Sequence, residues 1–295
     1  MSPARTAART PATGEAAEPA TGRRLSDEQV LAVLALMRGA DSVELKTTVP
    51  VDQHRAAIQG LPLDPVEATP RQVYFFDTPD LALNRAGVVV RARRTQGGRG
   101  DTVVKLRPVV PGDLPASLRR QADFNVEVDV LPGGFVCSAS FKGRASGADV
   151  RDAGLGVLPL KRLFSKTQRQ FYKQHAPAGL SLDDLVPLGP TFLLKSRFDV
   201  KLGPTRRSIQ SLVAEMWFYP DGTRILELST KCPPADAFRV AAEARAYLVE
   251  QGLRMDGEQQ TKTKTALEFY AAGLGSTVEH ANGADGANGG NGAAT

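Results

Sequence analysis

Charged and apolar residues alternate with a period of two along much of this chain. Glu44 and Lys46 are interleaved with Val43 and Leu45, Arg91 and Arg93 with Val90 and Ala92, and Glu127 and Asp129 with Val126 and Val128. Lys105/Arg107, Lys195/Arg197, Glu215 with polar-tipped Trp217 and Tyr219, Glu227/Lys231 and Lys262/Lys264 repeat the pattern. A β-strand turns successive side chains to opposite faces, so each segment gathers charge on one side and hydrocarbon on the other. The charges come mostly as like-signed pairs, whereas an ordinary solvated face intersperses signs because neighbouring like charges repel. Repeated over many strands, this segregation predicts a barrel with a charged interior.

The strands expected from this pattern cover residues 42–49, 72–76, 88–94, 102–107, 125–131, 167–173, 192–202, 212–219 and 224–231. Ser26 and Gln29 have capping-box spacing and open a helix that Gly39 ends. Asp52 is placed to cap a short helix through Ile58. Thr78 sits as an N-cap with Pro79 at the first helical position, in a helix that Gly87 ends. Residues 145–160 read as a loop and short helix. Residues 235–252 form the longest helical run, its apolar stripe of Phe238, Val240, Ala244 and Leu248 packing on the sheet. The turns at Gly97–Gly100 and Pro220–Gly222 make hairpins. Antiparallel strands joined by hairpins and brief helices predict an α+β fold built on a closed β-barrel with peripheral helices.

Composition narrows the picture. The ends, residues 1–24 and 275–295, are low-complexity and read as disordered tails around one domain at 25–274. Arg5, Arg9, Arg23 and Arg24 against Glu15 and Glu18 are balanced by Glu279 and Asp285, so the net charge of +5 belongs to the middle. No run approaches the ~18 apolar residues of a membrane span, and the Arg-bearing N-terminus lacks an apolar leader core. Cys137 and Cys232 are isolated from each other and from His54, His175 and His280, which argues against zinc and disulfide frameworks and for a reducing cytoplasm. A Walker loop and recognisable Ser/His/Asp or Cys/His orders are absent from the sequence. The positive charge permits nucleic acid, but the cations share strand faces with Glu and Asp, so neither nucleic acid nor membrane is the expected partner.

The segment Tyr74-Phe75-Phe76-Asp77-Thr78-Pro79-Asp80-Leu81, followed by Arg85-Ala86-Gly87 and Val90-Arg91-Ala92-Arg93, resembles the CYTH superfamily, the triphosphate tunnel metalloenzymes, in its aromatic-Asp-Thr stretch and its Leu-Arg-x-Arg strand. Ser42-Val43-Glu44-Leu45-Lys46 is similar to that family's opening Glu-x-Glu-x-Lys, and the segments at Lys105–Arg107, Glu127–Asp129, Lys166/Arg169 and Glu227–Ser229 follow in the family's order.

The resemblance implies an eight-stranded antiparallel tunnel that binds a triphosphate-containing small molecule or polyphosphate. Lys46, Arg91, Arg93, Lys105, Arg107, Lys166, Arg169, Arg197 and Lys231 would hold phosphate. Glu44, Glu127, Asp129, Glu215 and Glu227 would hold Mg²⁺ or Mn²⁺, with Lys46 and Glu127 as catalytic groups. Guanidinium and ammonium groups suit phosphate, and carboxylates suit hard divalent cations. The chain departs from the family at Ser42 and Ser229, where Glu is usual, and a neutral hydroxyl is a poorer ligand for a hard ion. Metal-dependent triphosphate hydrolysis leads; a nucleotidyl cyclase and a non-catalytic polyphosphate- or nucleotide-binding module stay open beside it.

Overall fold

The computed structural model describes residues 26–203, 205, 208–254, 259 and 262–284, the last ten by backbone alone. The expected N-terminal tail lies outside the described residues; of the expected C-terminal tail at 275–295, residues 275–284 continue a helix and the rest lies outside the described residues. Nine strands are seen: β1 (Ser42–Val49), β2 (Thr69–Asp77), β3 (Val88–Thr95), β4 (Arg99–Leu106), β5 (Phe124–Leu131), β6 (Gly134–Ser146), β7 (Val186–Leu202), β8 (Ser208–Phe218) and β9 (Arg224–Cys232). They close into a barrel in the order β1-β5-β6-β4-β3-β2-β7-β8-β9, with β9 pairing back onto β1. The helices are α1 (Asp27–Met37), α2 (His54–Gly60), α3 (Ala82–Arg85), α4 (Ala116–Arg119), α5 (Gly147–Gly154), α6 (Leu160–Leu163), α7 (Lys166–His175), α8 (Ala237–Glu250) and α9 (Lys262–Ala284).

The closed barrel with peripheral helices is as expected, but its strands number nine rather than eight, and one pair, β1 with β5, is parallel. The expected strand at 167–173 is a helix, α7. Ser165 and Gln168 form a reciprocal capping box that starts it, and Gln168, Phe171 and Tyr172 come onto one buried face. Gln168 then pins α7 to the barrel wall, donating to the carbonyls of Thr102 and Phe141, each at 3.2 Å, and accepting from Thr102 Oγ1 at 3.0 Å. Lys262 and Lys264, expected as a strand pair, begin helix α9 instead.

The capping box at Ser26 and Gln29 is present on α1. Thr78 and Pro79 do not start α3, which begins four residues after Thr78 at Ala82. Thr78 Oγ1 accepts from Ala82 N at 2.8 Å, while Asp77 accepts from the backbone N–H groups of Thr78, Leu83 and Asn84. Both side chains thus satisfy the free N–H groups of the helix start from farther back along the chain.

Apolar residues on the outer face of the wall form two clusters. Val43, Phe76, Val90, Val128 and Phe141 pack with Val33 of α1, Val150 of α5 and Phe171 of α7. Val49, Phe198, Leu212, Leu226 and Leu228 pack with Ala57 of α2 and Leu248 of α8. A third cluster lies inside the barrel: Val73, Phe75, Val89, Leu193, Trp217 and Ile225 meet Ala266 and Leu267 of α9. Adjacent residues thus divide between faces, Phe75 inward and Phe76 outward. Hydrocarbon and α9 close one part of the interior, and the charged rows line the remainder.

Candidate functional site

The register of the strands assigns each row to a face. Cross-strand partners share a face, so the chain of pairs Glu44 with Lys231 and Asp129, Lys46 with Ser229, and Ser42 with Glu127 lies on one continuous interior surface. The same surface continues through Lys105 opposite Val89, Arg91 opposite Val103, and Arg93 opposite Asp101. It reaches the far wall through Arg71 opposite Leu193, Lys195 opposite Glu215, and Glu215 opposite Glu227.

Three carboxylates converge there. Oxygens of Glu44, Glu127 and Asp129 lie within 4.8 Å of one another. Lys46 Nζ stands 3.1 Å from Glu44 Oε2 and 2.9 Å from Asp129 Oδ1, and Lys105 Nζ is 3.7 Å from Asp129 Oδ2. Ser42 Oγ donates to Glu127 Oε2 at 3.2 Å, and Lys231 Nζ pairs with the same oxygen. Burial by itself would raise the Asp129 carboxyl, but Lys46, Lys105 and Arg107 together hold it well below the usual carboxylate range. Burial also works against charge on Lys46, and Asp129, Glu44 and Glu227 outweigh it, so that ammonium titrates well above an ordinary lysine.

This cluster fits a divalent cation. All its donors are hard carboxylate oxygens, the set that Mg²⁺ and Mn²⁺ prefer. Asp129 Oδ1 is buried and, apart from the Lys46 ammonium at 2.9 Å, has no partner among the described residues, which leaves it an acceptor position for a cation. Ser42, which stands where a carboxylate was expected, is still part of the cluster, and holds Glu127 in place.

Glu215 and Glu227 are arranged differently. Lys262 of α9 reaches the interior and sets its ammonium 2.7 Å from Glu227 Oε1 and against Glu215 Oε2, over the Trp217 ring at 5.1 Å from its centre. Lys195 Nζ lies 3.5 Å from Glu215 Oε1. Burial would raise Glu215, but Lys262 and Lys195 hold it below the usual range. The second carboxylate pair is therefore neutralised by ammonium groups belonging to the chain.

The interior lysines are thus paired with acids, and most of the interior arginines are not. Arg93 bonds Asp101 at 2.8 Å. Among the described residues Arg71, Arg91, Arg107 and Arg197 form no ion pair, and the Nε atoms of Arg71 and Arg91 are buried without a hydrogen-bond partner. Burial, followed by the charge of Arg93, pushes both Arg71 and Arg91 below the ordinary arginine value. A buried guanidinium without an acceptor is costly, and a phosphate or carboxylate oxygen would relieve it.

Of the residues singled out from sequence, Glu44, Lys46, Arg91, Arg93, Lys105, Arg107, Glu127, Asp129, Glu215 and Glu227 are brought to the interior, while Arg197 and Lys231 stand on the same strand faces but are exposed, Lys231 reaching in to Glu127. Lys166 and Arg169 do not reach it. Both are exposed on α7, outside the wall, where Arg169 donates to the Lys161 carbonyl. Arg71 and Asp101 join the site without having been expected there, and Lys262, expected in a charged row on a strand, reaches it from helix α9. Period-two counting back from Val73 and Phe75 would have found Arg71.

Solved structures share this architecture. A Hippeastrum protein proposed to be an adenylyl cyclase and described as having a dominant triphosphatase activity superposes with a TM-score of 0.56 at 14% identity, over 76% of this chain and 93% of the other. A Bacillus halodurans protein proposed to be an adenylate cyclase superposes with a TM-score of 0.51 at 12% identity, over 76% and 98%. This chain has the CYTH-like triphosphate-tunnel fold. No protein-family model matches it, and no curated protein matches it by sequence. Among the described residues of this tunnel protein no helix is long and apolar enough to cross a membrane, and Cys137 and Cys232 are buried free thiols, each pushed up to about 11 by burial.

Proposed function

We propose that the tunnel binds the triphosphate group of a small molecule or of inorganic tripolyphosphate, with one divalent cation, and hydrolyses its terminal phosphoanhydride. The observation that carries this reading is the guanidinium of Arg91, half-buried, with a buried Nε and no partner among the described residues, beside Arg93 on the interior face that also carries the acidic cluster. Arg91, Arg93, Lys105 and Arg107 take the phosphate oxygens; the planar fork of arginine matches two of them at once. Glu44, Glu127 and Asp129 would hold Mg²⁺ or Mn²⁺, which when bound neutralises phosphate charge and lowers the pKa of water.

For hydrolysis, water attacks the terminal phosphorus in line with the leaving oxygen. Its proton passes to the Glu127 carboxylate, whose Oε2 is engaged by Ser42 and Lys231, leaving Oε1 to receive it. The P–O bond to the leaving phosphate breaks, giving orthophosphate and the shortened chain. Arg91 and Arg93 stabilise the charge on the equatorial oxygens, and Lys46 keeps Asp129 ionised and in position. Two free buried thiols fit a cytoplasmic setting for this chemistry.

Phosphate release from tripolyphosphate, ATP and thiamine triphosphate, each with Mg²⁺, Mn²⁺ or chelator, tests the proposal. Release that needs a divalent ion and is lost in Asp129→Asn is expected; equal release in chelator would refute the metal assignment. Commitment of Glu215 and Glu227 to Lys262 favours a second reading, a binding module without turnover. That reading requires a thermal shift with tripolyphosphate and no phosphate release under any divalent ion.

A further inference from the structure

Helix α1 is apolar round its whole circumference but covered on one side only. Eight of its eleven residues are Val, Leu, Ala or Met, and of these Val33 and Met37 are buried, in the cluster on the outer face of the wall. Leu31 stays 67% exposed and Leu34 38%, with Ala32 and Ala35 exposed beside them. A helix that is hydrophobic all round is normally buried all round. Val110, 55% exposed, widens the patch, because its neighbour Pro111 packs closely on Gly39 just past the end of α1.

Charge frames this face. At about 3.6 residues per turn, Glu28, Leu31, Ala35 and Arg38 fall on one stripe turned away from Val33. Glu28 and Arg38 are exposed and form no ion pair among the described residues. The helix dipole accounts for an acid in the first turn and a base after the last. It does not account for Leu31 and Leu34 standing in water between them.

The stripe complements itself. Two copies laid antiparallel about a two-fold axis level with Val33 bring Glu28 of each toward Arg38 of the other, Leu31 against Ala35 and Leu34 against Ala32. Large residues then meet small ones and each charge meets its opposite. A parallel arrangement sets Glu28 against Glu28 and Arg38 against Arg38, so the charges also select the orientation.

We propose that the exposed face of α1 is the interface of a homodimer, with a second copy of this chain as its partner. The interface lies outside the barrel wall and stands whether or not the tunnel takes a triphosphate. One helix against another is a small interface of the weak class, so a dissociation constant on the order of 10 µM is expected.

Sedimentation velocity of the full chain from about 1 to 200 µM, a range that brackets this affinity, tests the proposal. Wild type is expected to pass from monomer to dimer. Leu31→Gln, Glu28→Arg and Arg38→Glu are each expected to weaken the dimer about tenfold or more, and Glu28→Arg together with Arg38→Glu to restore it. A helix merely destabilised by charges set against its dipole would fare worst in the double variant, so the rescue separates pairing from folding. Melting temperatures near wild type confirm that the variants fold. A dimer that the single variants leave intact, or a double variant that stays as weak as the single ones, overturns the proposal. So does a wild type that is monomeric throughout, including one that binds phosphatidylglycerol vesicles through this face instead.

Discussion

Lys262→Met is the substitution whose cost follows most directly from the tunnel's electrostatics. Glu215 and Glu227 stand opposite each other on β8 and β9, and the Lys262 ammonium is seated between them with all three side chains 18% exposed or less. Met preserves helix propensity and most of the hydrocarbon stem, so the change isolates the charge. Removing one partner from a buried ion pair costs about 3–5 kcal/mol because the other charge is left uncompensated. Lys195 still holds Glu215, so the loss falls mainly on Glu227, and about 3 kcal/mol is expected. For a domain of this size that is a fall of about 6–12 °C in melting temperature. Lys264→Met is the control: its side chain is 64% exposed and 3.9 Å from Glu268, and it should shift stability by under about 0.5 kcal/mol.

The acid dependence of the same variant supplies a second check. In wild type Lys262 is the foremost of the charges that hold Glu215 below the ordinary 4.5, so the part of the stability that the variant lacks is present in wild type above that range and is lost as pH falls through the lower folded value. The gap between variant and wild type in denaturant titrations should therefore narrow in acid. Addition of Mg²⁺ that selectively restabilises Lys262→Met would show that the chain's ammonium occupies a position a divalent ion can take. A variant that melts within about 1 °C of wild type at neutral pH would refute the reasoning, since Glu227 would then have solvent or another partner enough to dispense with Lys262.

Other outcomes are equally specific. Asp77→Ala removes the acceptor for three backbone N–H groups at a buried position and should cost about 2–4 kcal/mol in chemical denaturation, with Asp77→Asn losing less. Wild-type stability should fall in acid: the folded pKa values of Asp129 and Glu215 lie below the ordinary 3.8 and 4.5, so their contribution is complete above that range and is lost as pH drops through the lower folded values. Denaturant titrations at pH values above and below the ordinary carboxylate range measure it, and a flat profile would contradict the paired carboxylates.

The parts of this molecule that sequence made legible are those whose two faces differ in polarity. β1, β3 and β5 alternate charge with hydrocarbon because one side lines the tunnel and the other meets the helices, and their rows could be read directly. β6 was missed for the opposite reason. Its inner row passes through the small, neutral Ser138 and Ser140 where Cys137 through Phe141 are all buried, so the contrast in polarity is weak there and only Lys142 and Arg144 at its end carry charge. α7 was mistaken for a strand because the family resemblance implies a strand carrying Lys166 and Arg169 at this place in the order. Its real signal was the capping box at Ser165 and Gln168, followed by Phe171 and Tyr172 at helical spacing. That error carried Lys166 and Arg169 into a site they do not reach.

Lys262 shows the same ambiguity from the other side. Two residues apart in a strand, Lys262 and Lys264 would share a face; on α9 they diverge, one buried against Glu227 and the other exposed. Pairing between distant segments is where sequence says least. The division of the tunnel into lysines neutralised by acids and arginines left without them depends on register between β1, β5, β8 and β9, and no local pattern encodes it.

That division is tested most directly by titrating tripolyphosphate into wild type and Arg91→Ala by calorimetry. A buried guanidinium lacking an acceptor should bind phosphate, so wild type should bind and the variant should bind about ten- to a hundredfold more weakly, with its fold intact. Unchanged affinity in Arg91→Ala, or no binding by the folded wild type, would contradict the tunnel as a triphosphate site.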